Sequence, residues 1–429
     1  MILSVRPFAA AGLVLALLST GAEARDRRSL PAPHGERFYS ASLPQTLPGL
    51  EPLLPRQSAP ETEAWQRRIR EAEYVNGPYG QGISEILLDA ANYFASRGDY
   101  RSALAHWRRS VHLVRVNEGL YSPLQLPALH SQLDMHLRLG DFESAGEVKS
   151  YLYFLARRRY APGDPELVAA TVDWIEWRRQ QWLRDPNPEQ PRELLSLWRE
   201  LDRHTREDEE KVLGLAELAA LTYAQIDVLY VIAAGDFGID RETEMMLGRG
   251  AASADAALDI DRAQIQALQD AGYARGRQRL ELLLERAVAA GDVAEQARAN
   301  RALGDWYLWF GSSKRAAPHY RDSWNQLAQL GELDLQREWY AAPVELPAGN
   351  VMWVPPSPQD EEPDALVIAR FDVDARGRAR NVDTEPLNPD KEAQGFRLTR
   401  LLREGRFRPR LESGEMVEVT GLEREYRVP

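Results

Sequence analysis

Four of the Gly-Asp dipeptides, Gly98-Asp99, Gly140-Asp141, Gly235-Asp236 and Gly291-Asp292, interrupt an otherwise almost continuous helical sequence between Glu61 and about Tyr340. They constrain the fold more than any other feature. Read as helix-to-helix turns, they divide the region into antiparallel helix pairs, and such a pair buries its apolar face only against the next one. The expected product is a mainly α stack of helix pairs, curved so that its concave side holds an extended peptide or a partner helix.

The spacing around two of these turns is more specific. Ala91, Phe94, Gly98-Asp99-Tyr100, Ala103 and Trp107 form one set, and Leu303-Gly304, Tyr307, Gly311, Ala316 and Tyr320 repeat its offsets. Gly140-Asp141-Phe142 with Ala145 is a weaker copy. These residues resemble the tetratricopeptide repeat (TPR), in which small residues lie where two helices approach most closely and aromatics fill the space beside them. The resemblance implies a TPR-like α-solenoid over residues 61–341. The 42 residues from Gly98 to Gly140 exceed the usual repeat of about 34, which predicts longer helices and an irregular array.

The N-terminal flank addresses location. Arg6, the apolar run Phe8 to Leu18 and Ala22-Glu23-Ala24 stand in the order of a secretory signal, which predicts cleavage near Ala24 and a soluble periplasmic protein. The alternative is an uncleaved signal that anchors the chain in the inner membrane. The run is short against the roughly 20 apolar residues that a permanent span needs, and no other stretch is read as approaching that length. Cysteine is absent, which removes lipid attachment at a lipobox cysteine, thiol catalysis, Cys-based zinc sites and disulfides together. A net charge of −12 sets the chain against nucleic acid as a partner. Residues 25–60 read as a Pro-rich tether, and Asn76-Gly77-Pro78 ends the first helix after it.

Beyond Ala341 the pattern changes. Residues 342–364 read as a linker, with Pro343, Pro347, Pro355, Pro356, Pro358 and Pro363 around the acidic Asp360-Glu361-Glu362. Val367, Ala369, Phe371 and Val373 then alternate as a strand, Asp374-Ala375-Arg376-Gly377 supplies a turn, and Lys391 to Glu404 reads as a helix with Leu398, Leu401 and Leu402 inward. Gly405-Arg406-Phe407-Arg408-Pro409 precedes a turn at Gly414, and Val417, Val419, Tyr426 and Val428 return to strand spacing.

That order over residues 365–429 resembles the C-terminal domain of TonB-type energy transducers, with the Phe-Arg-Pro segment as its most specific part. The resemblance implies a small α+β domain that pairs along a sheet edge with a partner's extended segment. It also nominates Phe371, Arg406, Phe407, Arg408, Pro409 and Tyr426 as partner-binding residues. The plainer reading of the same side chains is Phe407 in the core, Arg406 and Arg408 in solvent, and Pro409 at the helix exit. The chain departs from that family in lacking a long Pro-rich spacer and a membrane helix able to couple to a motor. A membrane-anchored transducer is therefore the second alternative, and a reused binding module is preferred.

Sites for chemistry are sparse. Asp372, Asp374 and Asp383 around Arg376-Gly377 approximate a calcium loop, but Arg376 fills a ligand position and a strand precedes it, so a hairpin turn is expected. The seven histidines form no helical zinc pair with a glutamate. No nucleophile elbow, phosphate loop or dinucleotide fingerprint occurs. Trp174, Trp177 and Trp182, with Trp198 nearby, form the densest aromatic group, readable as interhelix core or as a glycan-stacking face. The sequence thus predicts a non-enzymatic periplasmic adaptor without metal or cofactor. Its helical array would bind one protein or peptide, and its C-terminal domain another, an outer-membrane assembly being the candidate. An envelope glycan-binding or hydrolase-type protein acting through Trp174 and Trp177 is the alternative, and the oligomeric state is left open.

Overall fold

A computed structural model describes residues 60–184, 191–205, 213–234, 255–347, 366–388 and 392–427. The signal, nearly all of the tether, the Gly235-Asp236 turn and most of the linker lie outside these residues. The chain is mainly helical, with a small sheet-containing C-terminal region. The helices are α1 (Pro60–Asn76), α2 (Ile83–Ser96), α3 (Tyr100–Glu118), α4 (Leu126–Arg138), α5 (Phe142–Arg159), α6 (Pro165–Arg184), α7 (Pro191–His204), α8 (Leu215–Ala234), α9 (Asp255–Ala290), α10 (Val293–Trp309), α11 (Ser313–Leu330), α12 (Leu333–Tyr340) and α13 (Glu392–Glu404). The strands are β1 (Val344–Glu345), β2 (Leu366–Val373), β3 (Ala379–Pro386), β4 (Phe407–Arg408), β5 (Arg410–Glu412), β6 (Glu415–Val417) and β7 (Val419–Arg427).

The Gly-Asp dipeptides do two jobs at once. Gly98, Gly140 and Gly291 adopt φ of 80°, 70° and 69°, a left-handed geometry that glycine enters without a Cβ penalty. The following amide reaches back five residues to a helix carbonyl, as in Asp99 N to Phe94 O at 3.0 Å and Asp141 N to His136 O at 2.9 Å. The same aspartate then opens the next helix. Asp99, Asp141 and Asp292 accept from the amides of Ser102, Ser144 and Glu295 at 3.1, 3.1 and 2.9 Å, satisfying donors that a helix start leaves unpaired.

One hydrophobic core runs from α6 to α12 and takes in Leu346 and Leu411 from the C-terminal region, while a second joins α1 to α5. The helix α8 departs from the sequence reading, since Leu215–Ala233 has a mean hydropathy of 1.4 and is long and apolar enough to cross a membrane. Most of it is buried inside the protein, where Leu221, Val228, Leu229 and Ile232 have no exposed surface. Its apolar character on every side follows from contact with α6, α7 and α9.

In the C-terminal region β3, β2 and β7 form an antiparallel sheet in that spatial order. Val367, Ala369, Phe371 and Val373 face a core with Leu398 and Leu402 of α13. On the opposite, exposed face Arg370 bridges Glu423 at 2.8 Å and Glu385 at 3.1 Å. Strand β1 lies inside the segment read as linker, and it pairs antiparallel with β4.

A buried polar knot ties α5, α6 and α7 together. Glu200 accepts a short hydrogen bond from Tyr153, pairs with Arg203 at 2.8 Å and faces the His204 ring at 3.7 Å, while Thr171 lies 3.4 Å from that ring. Burial alone would raise the Glu200 carboxyl, but His204, Tyr153, Arg203 and Arg157 outweigh it and hold it down at about 2. Because the folded value lies below the unfolded 4.5, the stabilisation is complete above pH 4.5 and lost as pH falls towards 2. The shift is worth ~3 kcal/mol. Glu200→Gln is expected to flatten the pH dependence of unfolding free energy across that window, and an unchanged slope would show that the acid sensitivity originates elsewhere.

Candidate interaction surfaces

Five of the six nominated residues are turned inward. Phe371 and Phe407 pack with ring centroids 5.4 Å apart, 2% and 0% exposed, and Pro409 and Tyr426 are also buried. Arg408 is 2% exposed yet meets no solvent-facing partner. Its Nε and Nη2 donate to Asp305 Oδ1 and Oδ2 of α10 at 2.8 and 2.6 Å, and its Nη1 donates to the Trp339 carbonyl at 3.2 Å. Sequence reading placed this arginine in solvent or on a partner, whereas the structure pairs it with a carboxylate of the same chain. The reason is local: a two-pronged guanidinium–carboxylate match is among the few arrangements that compensate two buried charges.

The surroundings complete that compensation. Tyr320 donates to Asp305 Oδ1 at 3.0 Å, and Tyr340 donates to Ser323 Oγ at 2.6 Å with its ring 5.9 Å from the Arg408 guanidinium. Burial alone would lower the Arg408 pKa, but the Asp305 charge and its hydrogen bonds outweigh it and raise it, fixing the charged form. Burial, relieved in part by Arg408, pushes the Tyr340 hydroxyl up to about 12.

A second contact extends the same junction. Arg424 of β7 donates to the Pro343 carbonyl and lies 3.8 Å from Glu345 of β1, which accepts from Tyr426 at 3.2 Å. Leu346 N donates to Arg406 O at 2.8 Å, extending the β1–β4 pairing, and Arg406 itself caps the Glu404 and Gly405 carbonyls while half-buried. Asp305, Tyr340, Glu345 and Arg424 were not among the sequence candidates. For Asp305 there was a signal, an acid flanked by Leu303, Trp306, Tyr307 and Leu308 on a helix, where an unpaired charge is costly.

The carboxylate loop takes the hairpin form. Asp374 accepts from the amides of Arg376 and Arg378, both at 2.9 Å, and Asp372 accepts from Gly421 N at 2.8 Å and Asn381 Nδ2 at 2.6 Å. Each acid is thus occupied by protein donors, and Asp383 lies on β3 with its side chain exposed.

The tryptophan group is built into helix packing. Trp177 and Trp198 are each 5% exposed, and Trp174 stacks on Tyr153 at 4.8 Å. A glycan-stacking site needs an open ring face, and Trp177 and Trp198 present none. The side chain of Trp182 lies outside the described residues.

What remains open is an edge. Strand β7 lies at the end of its sheet, and its outer side pairs with no strand among the described residues. From Leu422 to Arg427 it runs in regular register with β2, and Glu423 and Glu425 project from the exposed face. An extended segment can add to such an edge through backbone hydrogen bonds. Compared with known proteins, the sequence matches no family model and no curated relative.

Proposed function

We propose that the protein is a non-enzymatic adaptor of the bacterial envelope, exported by its N-terminal signal, that accepts an extended segment of a partner along the outer edge of β7. The outer edge of β7, which pairs with no strand among the described residues, is the observation that carries this reading. The finer fold reading, TPR-like helix pairs followed by a domain like the C-terminal domain of TonB-type transducers, is supported by Gly304 seated against the Tyr320 ring. It is supported equally by the order of hairpin, helix and closing strand in residues 366–427. The Phe-Arg-Pro segment serves in this reading to hold the sheet on the array, which leaves the β7 edge for the partner.

The absence of cysteine provides the test, because a single introduced thiol is unique. Glu425→Cys on β7 and Asp383→Cys on β3 place a thiol-coupled photocrosslinker on opposite sides of one sheet. Irradiation of intact envelopes is expected to give a discrete crosslinked species from Glu425→Cys and not from Asp383→Cys. Equal products from both positions, or none from β7, would remove strand pairing from the proposal. Mass determination of the mature N-terminus tests export, with a start near Arg25 expected.

A further inference from the structure

The connection between α3 and α4 carries an unusual surface. Leu120, Tyr121 and Leu124, with Val116 at the end of α3 and Phe154 of α5, leave between 39% and 61% of their area in solvent, and the Tyr121 and Phe154 rings lie 5.9 Å apart. The loop beneath them is fastened from within. Gln125, with no exposed surface, donates to the carbonyls of Leu120 at 2.9 Å and Ser122 at 3.1 Å, while its oxygen accepts from Arg115 and from Tyr151, each at 2.9 Å. The Leu120 carbonyl lies 3.1 Å from the same Tyr151 hydroxyl and shares its one proton with Gln125. An apolar surface this well braced is already shaped before anything binds, which lowers the ordering cost of recognition.

A cation completes it. The Arg158 guanidinium lies 5.8 Å from the Tyr121 ring centroid and 5.4 Å from that of Phe154, and no carboxylate pairs with it among the described residues. It belongs to the Arg157-Arg158-Arg159 run that ends α5, and Arg115 lies 4.3 Å over the Tyr151 ring. Arg157 of that run pairs with Glu200 at 3.9 Å, which leaves Arg158 as the cation beside the Tyr121 and Phe154 rings.

We infer that this surface binds an acidic peptide segment of a partner protein, with one apolar side chain against Tyr121, Phe154 and Leu124 and a carboxylate on Arg158. The chemistry follows from charge complementarity, since aromatic and arginine anchors together are the residues that dominate protein recognition. The chain's own residues 25–59 fit poorly, carrying five arginines against three acids. A second copy, which offers Asp360-Glu361-Glu362, is the competing occupant. The inference rests on the adaptor reading only in taking the partner to be a protein, and it does not involve β7.

Fluorescence anisotropy of the full mature chain tests it, using a labelled peptide of glutamates around one phenylalanine, its lysine counterpart and an all-glutamate control. Binding of the first alone is expected, weakened roughly ten-fold by Arg158→Glu and by Tyr121→Ala, both surface changes checked for an unaltered melting curve. Arg158→Lys is expected to retain part of the affinity. Equal binding of the three peptides, or indifference to Arg158→Glu, overturns the inference. So does self-association in sedimentation that Arg158→Glu abolishes, which assigns the surface to a second copy. Arg158-dependent binding to phosphatidylglycerol vesicles without peptide binding assigns it to lipid and overturns it too. Crosslinks from Glu425→Cys that persist when peptide binding fails sink this site while leaving the β7 reading intact.

Discussion

Arg408→Met is expected to destabilise the protein by about 3–5 kcal/mol, the cost of leaving a buried carboxylate without its cation. Asp305 is held in a pocket of Tyr320, Tyr340 and Trp339, and no water-facing position is open to its side chain, 5% exposed. The loss should be local before it is global. Amides of β1 and β4 should exchange faster with solvent deuterium, while those of α2 and α3, in a separate core, keep their protection. Adding Asp305→Asn is expected to recover much of the loss, since the neutral amide still accepts from Tyr320 and the buried carboxylate that lost its bidentate partner is gone. A single substitution costing under about 1 kcal/mol, or a double no better than the single, would mean that the ion pair does not hold the junction.

Gly304→Ala should cost about 4 kcal/mol, although alanine is the better helix former. A methyl group there would stand 2.4 Å from Tyr320 Cε1 and 2.5 Å from Cδ1. The Tyr320 ring has no exposed surface and is anchored through its hydroxyl to Asp305, so it cannot step aside without releasing that bond. Overpacking of about 3 kcal/mol and a charge-assisted hydrogen bond worth roughly 2 exceed a propensity gain of ~1. Gly291→Ala provides the comparison. At φ 69° with nothing within 4 Å of the added carbon, it suffers only backbone strain of about 1–2 kcal/mol. Chemical denaturation of the two variants separates close approach from turn geometry, and equal losses would contradict the packing argument.

The turns were legible in the sequence because their chemistry is local. A glycine that ends one helix and an aspartate that caps the next act within a few residues, so Gly98-Asp99, Gly140-Asp141 and Gly291-Asp292 announce themselves without knowledge of the fold. The hairpin at Asp374 to Gly377 was legible for the same reason. The Phe-Arg-Pro segment stood out too, but not its role. Arg408 meets Asp305 across 103 residues of chain, and nothing local to either names the other. Strand β1 was hidden because two residues between prolines carry no periodicity, and they become a strand only against β4. The surface around Tyr121 was equally invisible, since it depends on Gln125 turning inward from a loop and on α5 returning beside it.

The junction between β4 and α10 also fixes how force would travel through the molecule. A pull on β7 passes by way of β2 and the Phe371–Phe407 contact into β4, and from there through Arg408 into Asp305 near the C-terminal end of α10. The path bypasses residues 348–365, the covalent connection between β1 and β2. Tension at the sheet edge is therefore delivered to the long core of the array, with the bidentate ion pair as its coupling.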